Sequence, residues 1–486
     1  MSTNPVPSTI RLPLFWGSAT PGAQTPSAVA QVGLLIGPAE ANAGVPKVII
    51  SKEQADSIYG RGSILSIMCA KFLAAYRMGT LKAIGVANST GTAATKTITF
   101  TASGTNDAGT ARIWVGSDYI DVPIAVNVAQ NALATAAAAL LPSVSDLPFT
   151  AAAPAANIVT ATCRHKGTIG NTVRIALDED MALPSGITCV IAAGVTGATD
   201  TAMSDTITAM GDMQADKIGL AWDGQHAIDI AAEIVSRWGY DRQVFGFMFS
   251  GVAGTETSSD KGYGTLYTLG TGTNSQAYVA AAGGLESYCR ASGYEVAAQL
   301  AAVCMQSDEA DPGLKVGSLT LPGCKSAAQG KQFNATSRNT LLYNGITTFH
   351  DVGGVLCIDR CVTRRTKNTY GSRDESQYDA GTIWLLQYLM RDLRATIENT
   401  YGRCRLVSDS TGTVPANCVT PNMMKGTLIA WYERHARAGL VENPELFAAN
   451  VEVVRPAGDP NRLDATLPVD VANNLEVFAP LIAFQR

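Results

Sequence analysis

The chain is short of charge. Of its 486 residues only 16% are Asp, Glu, Lys or Arg, against about 25% in an ordinary soluble domain. With 46% hydrophobic residues, that excludes a disordered or coiled-coil protein and implies that much of the surface is covered by something else. The net charge is −5, whereas a broad nucleic-acid-binding surface is basic. Histidine is scarcer still. The four, His165, His226, His350 and His435, show no H-x-x-x-H or H-E-x-x-H spacing, so the usual zinc arrangements are missing. Long apolar runs are missing too. ALATAAAALL (residues 132–141) is broken by Thr135 and ended by Pro142, and a membrane-spanning helix needs about 20 apolar residues. The ten cysteines include no C-x-x-C pair. Cys357 and Cys361 are nearest, but four residues of strand span about 13 Å, too far for a disulfide. They read as buried thiols. The start, MSTNPVPSTIRLPLFW, has no basic segment, apolar stretch and cleavage site in sequence. The expectation is a protein made and kept in a cytoplasm.

Catalytic motifs are equally scarce. Lys331 follows Gly330, but Gln332 stands where a phosphate loop needs Ser or Thr. Gly262 and Gly264 lack the third glycine and the acidic partner of a dinucleotide fingerprint. His226, in WDGQH with Asp223 three residues earlier, is the most site-like histidine, because α/β enzymes place chemistry at strand ends. No G-x-S-x-G elbow supplies a nucleophile. A cytoplasmic α/β hydrolase with a non-standard site near His226 is the alternative reading; a polar residue at a helix start is the simpler one. No catalytic, cofactor or metal site is expected.

What is present is alternation. Residues 34–37 and 47–50 read as strands, 63–78 as a helix with Leu65, Met68, Phe72 and Tyr76 on one face, and 81–87 as a strand. From 89 to 196 the composition shifts to Thr, Ala, Val and Gly. TITFT, ARIWV, YIDVPIAV, NIVTATC, TVRIAL and TCVIAA read as strands at hairpin spacing, with a helix at about 127–141. Alternation resumes with a helix at 201–213, a strand at 217–222, a helix at 226–238 and a strand at 243–249. After the loop GVAGTETSSDKGYG come a further helix, a strand at 276–281 and a helix at 295–305. Such repetition predicts a largely parallel sheet. In the last third, VLCIDRCVT is a strand, and 382–401 is a helix with Leu386, Leu389, Met390, Leu393 and Ile397 on one face. Gln387, Arg391, Arg394 and Glu398 line the other. Thr420 and Pro421 cap a helix that ends at Gly439, and VEVV, DATLPV and NLEVFAPLIAF follow.

Two charge features stand out. Arg360, Arg364, Arg365 and Lys367 lie near Asp359, Asp374, Glu375 and Asp379, which makes a self-neutralising surface the first reading, a protein contact the second and nucleic acid a distant third. Arg391 and Arg394 are either a solvated face or a contact with an acidic partner. Both ends of the chain are extended and apolar: Ile10, Leu12, Leu14 and Trp16 alternate along one strand, and Leu475, Val477, Leu481 and Phe484 mark the last segment. Such segments either add strands to neighbouring subunits or pair within their own chain.

The stretches SRNTLLYNGITT (residues 337–348), VTPNMMKGTLIAWYERHARAGLVEN (419–443) and DPNRLDATLPVDVANNLEVFAPLIAFQR (459–486) resemble the tail sheath proteins of Mu-like contractile phages and prophages. RLPLFW, HKGTIGNTVRI (165–175) and LPGC (321–324) fit too, so the resemblance runs over nearly the whole chain. It implies a structural subunit without cofactors that polymerises as stacked six-fold rings around a tail tube and contracts to drive the tube through the host envelope. The implied partners are further copies of itself, the tube protein, and baseplate and terminator proteins; nucleic acid and membrane insertion are not implied. Its place would be the virion tail, assembled in the host cytoplasm. The family's central domain is often labelled subtilisin-like, but no triad is visible in this sequence. The expected architecture is α/β plus α+β multidomain, a mixed, largely parallel-sheet core with an inserted β-rich domain and terminal arms. The expected divisions are an arm (1–28), a discontinuous α/β domain (29–88 and 197–330), an inserted outer domain (89–196), a C-terminal domain facing the tube (331–470) and a second arm (471–486). No family motif transfers the tube contact; Arg391 and Arg394 are candidates from the helix pattern alone.

Overall fold

The computed structural model describes residues 30–143, 146–152, 154–252, 274–282, 290–327, 332–410 and 412–482. Ile10, Leu12, Leu14, Trp16, Phe484, Cys289, Lys331, and the Gly262/Gly264 loop with the helix expected after it lie outside them.

The chain opens with β1 (Val32–Pro38), β2 (Lys47–Ile49) and β3 (Thr80–Val86). Between β2 and β3 run two helices, Lys52–Tyr59 and Ile64–Ala75. The second is buried on more sides than a single stripe, with Ile64, Leu65, Ile67, Met68, Cys69 and Phe72 all inside. After β3 the chain leaves for seven strands: β4 (Ala93–Ala102), β5 (Gly109–Val115), β6 (Asp118–Ile124), β7 (Phe149–Ala151), β8 (Ile158–Lys166), β9 (Ile175–Leu177) and β10 (Ile187–Ala193). These form two separate antiparallel sheets, β10-β4-β8-β7 and β6-β5-β9, with the helix Gln130–Ser143 between β6 and β7. The segment TVRIAL is a strand only at its end, because Thr172 belongs to the short helix Ile169–Thr172.

The chain then returns as β11 (Lys217–Leu220), β12 (Phe247–Val252), β13 (Tyr278–Ala282), β14 (Thr320–Lys325), β15 (Ile346–Val352) and β16 (Val355–Arg360). Nine strands make one mixed sheet in the order β14-β16-β15-β13-β12-β11-β1-β3-β2. The neighbours from β15 to β3 are parallel, and the strands at both margins are antiparallel. Strands β11, β12 and β13 are buried along their whole length, as strands covered on both faces must be. Strand β12 starts four residues later than its apolar run predicts. Gln243 takes a positive φ of 53°, and a side chain on Gly246 would lie 2.3 Å from the Ala215 carbonyl, so the chain before Phe247 turns rather than extends.

The helix Gly293–Ala310 is the central one. Its small residues Ala297, Ala298, Ala301 and Ala302 are all buried. Its first glycine packs directly on β12, where a Cβ on Gly251 would lie 2.1 Å from the Gly293 carbonyl. The strands of the excursion share this core: Ile98, Phe100 and Val159 belong to the same apolar cluster as Leu34 and Phe249. A second, smaller cluster joins Tyr388, Leu389 and Leu393 to Leu428, Trp431, Tyr432 and Phe447.

One helix, Ala380–Tyr401, serves both clusters. Trp384 stands edge-on to Phe247 at 5.5 Å in the first, while Leu393 belongs to the second. Here the structure corrects the helical-face reading. Gln387 is buried and donates to the Gly246 carbonyl at 3.2 Å, and Arg391 is paired with Asp216. This face, read as either solvated or in contact with an acidic partner, is at Gln387 and Arg391 turned onto the chain's own Gly246 and Asp216. The end of the chain carries β17 (Arg405–Leu406) and β18 (Cys418–Val419), the helix Pro421–Arg437, the helix Pro444–Asn450, and the hairpin β19 (Glu452–Val454) with β20 (Asp464–Thr466). Thr420 caps its helix as predicted, accepting from the Met423 N–H at 3.2 Å, with Pro421 in the first turn.

Candidate assembly surfaces

The described chain ends on an apolar segment that no other described residues cover. Leu475, Val477, Phe478, Leu481 and Ile482 are between 74% and 96% exposed, and residues 472–482 form neither helix nor strand. Five such side chains in one short run are unusual, because scattered single exposure is the normal condition of a surface.

The root of this segment is nevertheless held firmly. Asn474 donates to the Gly313 carbonyl at 2.9 Å. Lys315 donates to the Leu475 carbonyl at 3.1 Å and pairs with the Glu476 carboxylate at 3.0 Å. Glu476 lies near Asp379, whose carboxyl is pushed up by burial, with Glu476 adding to the rise and Arg360 opposing it.

The other end of the described chain arrives at the same place. Gln31 donates to Asp308 Oδ2 at 2.6 Å, and its backbone N–H reaches Glu309 at 3.4 Å. Asp308 Oδ1 accepts from the Gly313 N–H at 3.2 Å. Asp308 also pairs with Lys217 at 2.6 Å, with both side chains under 5% exposed, and the ammonium lies 4.0 Å above the Trp384 ring. Asp216 receives the Val32 N–H at 2.7 Å and the Gln214 side chain at 2.9 Å besides Arg391. The first and last described segments are thus both fastened to residues 308–315. These contacts join positions more than 150 residues apart. No spacing in the sequence signals them, apart from the turn-forming Asp311-Pro312-Gly313.

The other expected site residues are now placed. Arg394 is 42% exposed and pairs with Glu398 one turn on at 2.9 Å, whereas Arg391 faces inward. In the basic run, Arg360 pairs with Asp379, Arg365 with Asp374, and Arg364 is buried, which is self-neutralising geometry. His226 opens the helix Gln225–Arg237 and sits 3.7 Å from Asp200 rather than on Asp223. His350 lies 2.8 Å from Asp359 beside a cavity of about 40 Å³, but the nearby Ser326 hydroxyl is bonded to Asp351 and not to the imidazole. Among the described residues neither histidine has the nucleophile–base contact that acyl transfer requires. All nine described cysteines are free. Among the described residues no group of His, Cys, Asp or Glu could hold a metal ion, and no helix is long and apolar enough to cross a membrane.

Residues 372–485 match the phage tail sheath C-terminal domain, a span that includes the exposed segment and its root at Asn474 and Glu476. The chain is 27% identical to the Mu-like prophage FluMu tail sheath protein of Haemophilus influenzae, in an alignment covering all of this chain and 99% of that protein. Among solved structures it is similar to a sheath tail protein of Desulfitobacterium hafniense (10% identity, 88% and 91% of the two chains, TM-score 0.45). It is also similar to the helical sheath of the anti-feeding prophage in its contracted state (9% identity, 99% and 100%, TM-score 0.47). The assignment rests on the first two findings. The chain carries a phage tail sheath C-terminal domain over residues 372–485 and is similar along its full length to the tail sheath protein of a Mu-like prophage; it is a structural protein and not an enzyme.

Proposed function

We propose that this chain polymerises as stacked six-fold rings around a tail tube and contracts to drive that tube through the host envelope. The observation that carries the proposal is the exposed run from Leu475 to Ile482 on a fixed root. Backbone groups and apolar side chains left bare in the monomer are suited to strand addition on a neighbouring copy. In this reading residues 1–28 and 471–486 are the arms, with Ile10, Leu12, Leu14, Trp16, Leu475, Val477, Leu481 and Phe484 as their contact residues. Residues 29–88 and 197–330 are the α/β body, 89–196 an outer insertion, and 331–470 the domain facing the tube. Arg394 is the better tube-contact candidate, since Arg391 already has Asp216. The tube, baseplate and terminator proteins are the partners, the virion tail is the location, and assembly takes place in the host cytoplasm. Stored lattice energy drives the contraction without a cofactor.

The test is electron microscopy of the purified chain beside variants lacking residues 1–16 or 475–486. The full chain is expected to form long hollow tubes or rings, and each deletion to leave folded, soluble monomer. Intact polymers after both deletions count against the arms.

A further inference from the structure

A subunit that assembles by strand addition has to keep its main sheet out of the reaction. A bare edge strand accepts any matching segment, and β2 is such an edge. It pairs with β3 antiparallel at Lys47↔Ala83, Val48↔Lys82 and Ile49↔Leu81; in such a pair alternate residues turn their N–H and C=O away from the partner, and the Val48 carbonyl and the Ile50 N–H are the ones that bond off the sheet. Val45, Val48 and Ile50 beside them are 47%, 52% and 76% exposed. An open edge with apolar flanks is the usual signature of an aggregation site.

The edge is not open. Gln54 Nε2 donates to the Val48 carbonyl at 3.2 Å, and Gln54 Oε1 accepts from the Ile50 N–H at 2.8 Å. In a parallel pair the N–H and C=O of one residue bond to two residues that flank its opposite number. The Gln54 carboxamide meets Val48 and Ile50 in the same way, one donor and one acceptor to positions two apart. Its place in the sequence makes this more telling. Ser51 accepts from the Gln54 N–H at 3.2 Å, so S-K-E-Q has the pattern of a capping box, in which the glutamine would turn back to the cap's own N–H. Here it reaches one residue further, to the strand.

The far margin is closed in a related way. The Gly323 N–H of β14 donates to Gln299 Oε1 at 2.8 Å, and the Lys325 carbonyl accepts from the Arg290 N–H at 2.9 Å. A Cβ on Gly323 would lie 2.3 Å from Gln299 Nε2, so glycine there admits the glutamine.

We infer that Gln54 stands in for a neighbouring strand and closes the β2 edge against strand addition by a second copy of this chain. The purpose rests on the sheath reading, but the closure does not. It directs assembly by denying the wrong docking edge, and it leaves the sheet one surface residue away from misassembly.

The experiment compares the full chain with Gln54→Ala and with Gln54→Ala combined with Val48→Lys. Alanine is a strong helix former and leaves the Ser51 cap in place, so folding, checked by thermal melting, is expected to hold. Hydrogen exchange at the Ile50 amide should quicken several-fold in Gln54→Ala. Irregular, thioflavin-binding aggregate should rise several-fold over the native chain, and the added lysine should reverse that rise, because charge on an edge opposes pairing. Unchanged exchange at Ile50, faster exchange without aggregate, or aggregate that the lysine does not suppress each overturns the inference. A native chain that makes no ordered tubes counts against the sheath reading alone, since the aggregate comparison is between variants.

Discussion

The nine-stranded sheet and the last hundred residues solve opposite problems. Around the sheet, three of the six parallel strands are buried along their whole length and both margins are occupied. Beyond Ala380 the apolar cluster is small, and the chain finishes with large hydrophobic side chains in the open. One region buries its apolar strands within the chain; the other is held only as far as its root and leaves its final described apolar side chains exposed. The two are joined by one helix, whose first turns pack on β12 through Trp384 and whose later turns pack on Trp431 and Tyr432.

The sharpest way to break this division is at the ionic joint under the sheet. Lys217→Ala leaves Asp308 buried without its cation and is expected to cost about 3–5 kcal/mol, read as a lowered midpoint in urea unfolding. Next comes acid. His165 in β8 is fully buried and accepts from the Ile64 N–H at 3.3 Å through Nε2, which needs a neutral imidazole. Burial, with Arg164 adding to it, pushes this histidine down to about 4, whereas in the unfolded chain it titrates near 6.5. Between those values the unfolded chain binds more protons. The contribution is therefore whole above about pH 6.5 and lost as the pH falls toward 4, on the order of 3 kcal/mol in all. Thermal melts across that range should show the slope, and His165→Gln should flatten it. The smallest effect on stability belongs to the exposed tail. Phe478→Ser and Leu481→Ser should each change the unfolding free energy by less than about 0.5 kcal/mol, while tubes seen by electron microscopy become short or absent. A large loss of stability there would erase the contrast between the two regions.

Periodicity revealed much of this arrangement. The parallel sheet was legible in the apolar runs of β1, β11 and β13, and the Thr420-Pro421 cap in its own two residues. The helix Lys52–Tyr59 shows no apolar stripe, because KEQADSIY has too few apolar residues, and only Ser51 and Gln54 signal its start. The buried side of Ala380–Tyr401 was misread for a physical reason. Gln387 and Arg391 are polar at helical spacing, and only their partners, the Gly246 carbonyl and Asp216, reveal that they are satisfied inside. The common anchor of the two ends left no trace at all, since Gln31, Asp308, Gly313 and Asn474 are ordinary residues that become a site through distant contacts.

That anchor has a mechanical meaning. Asp308, Gly313 and Lys315 receive both ends of the described chain within eight positions. In the assembly proposed above, tension arriving along one end would be handed to the other through a few hydrogen bonds and one ion pair. Hauled from both sides, such a body would hang from this one knot, which is tied to the sheet through Lys217 of β11.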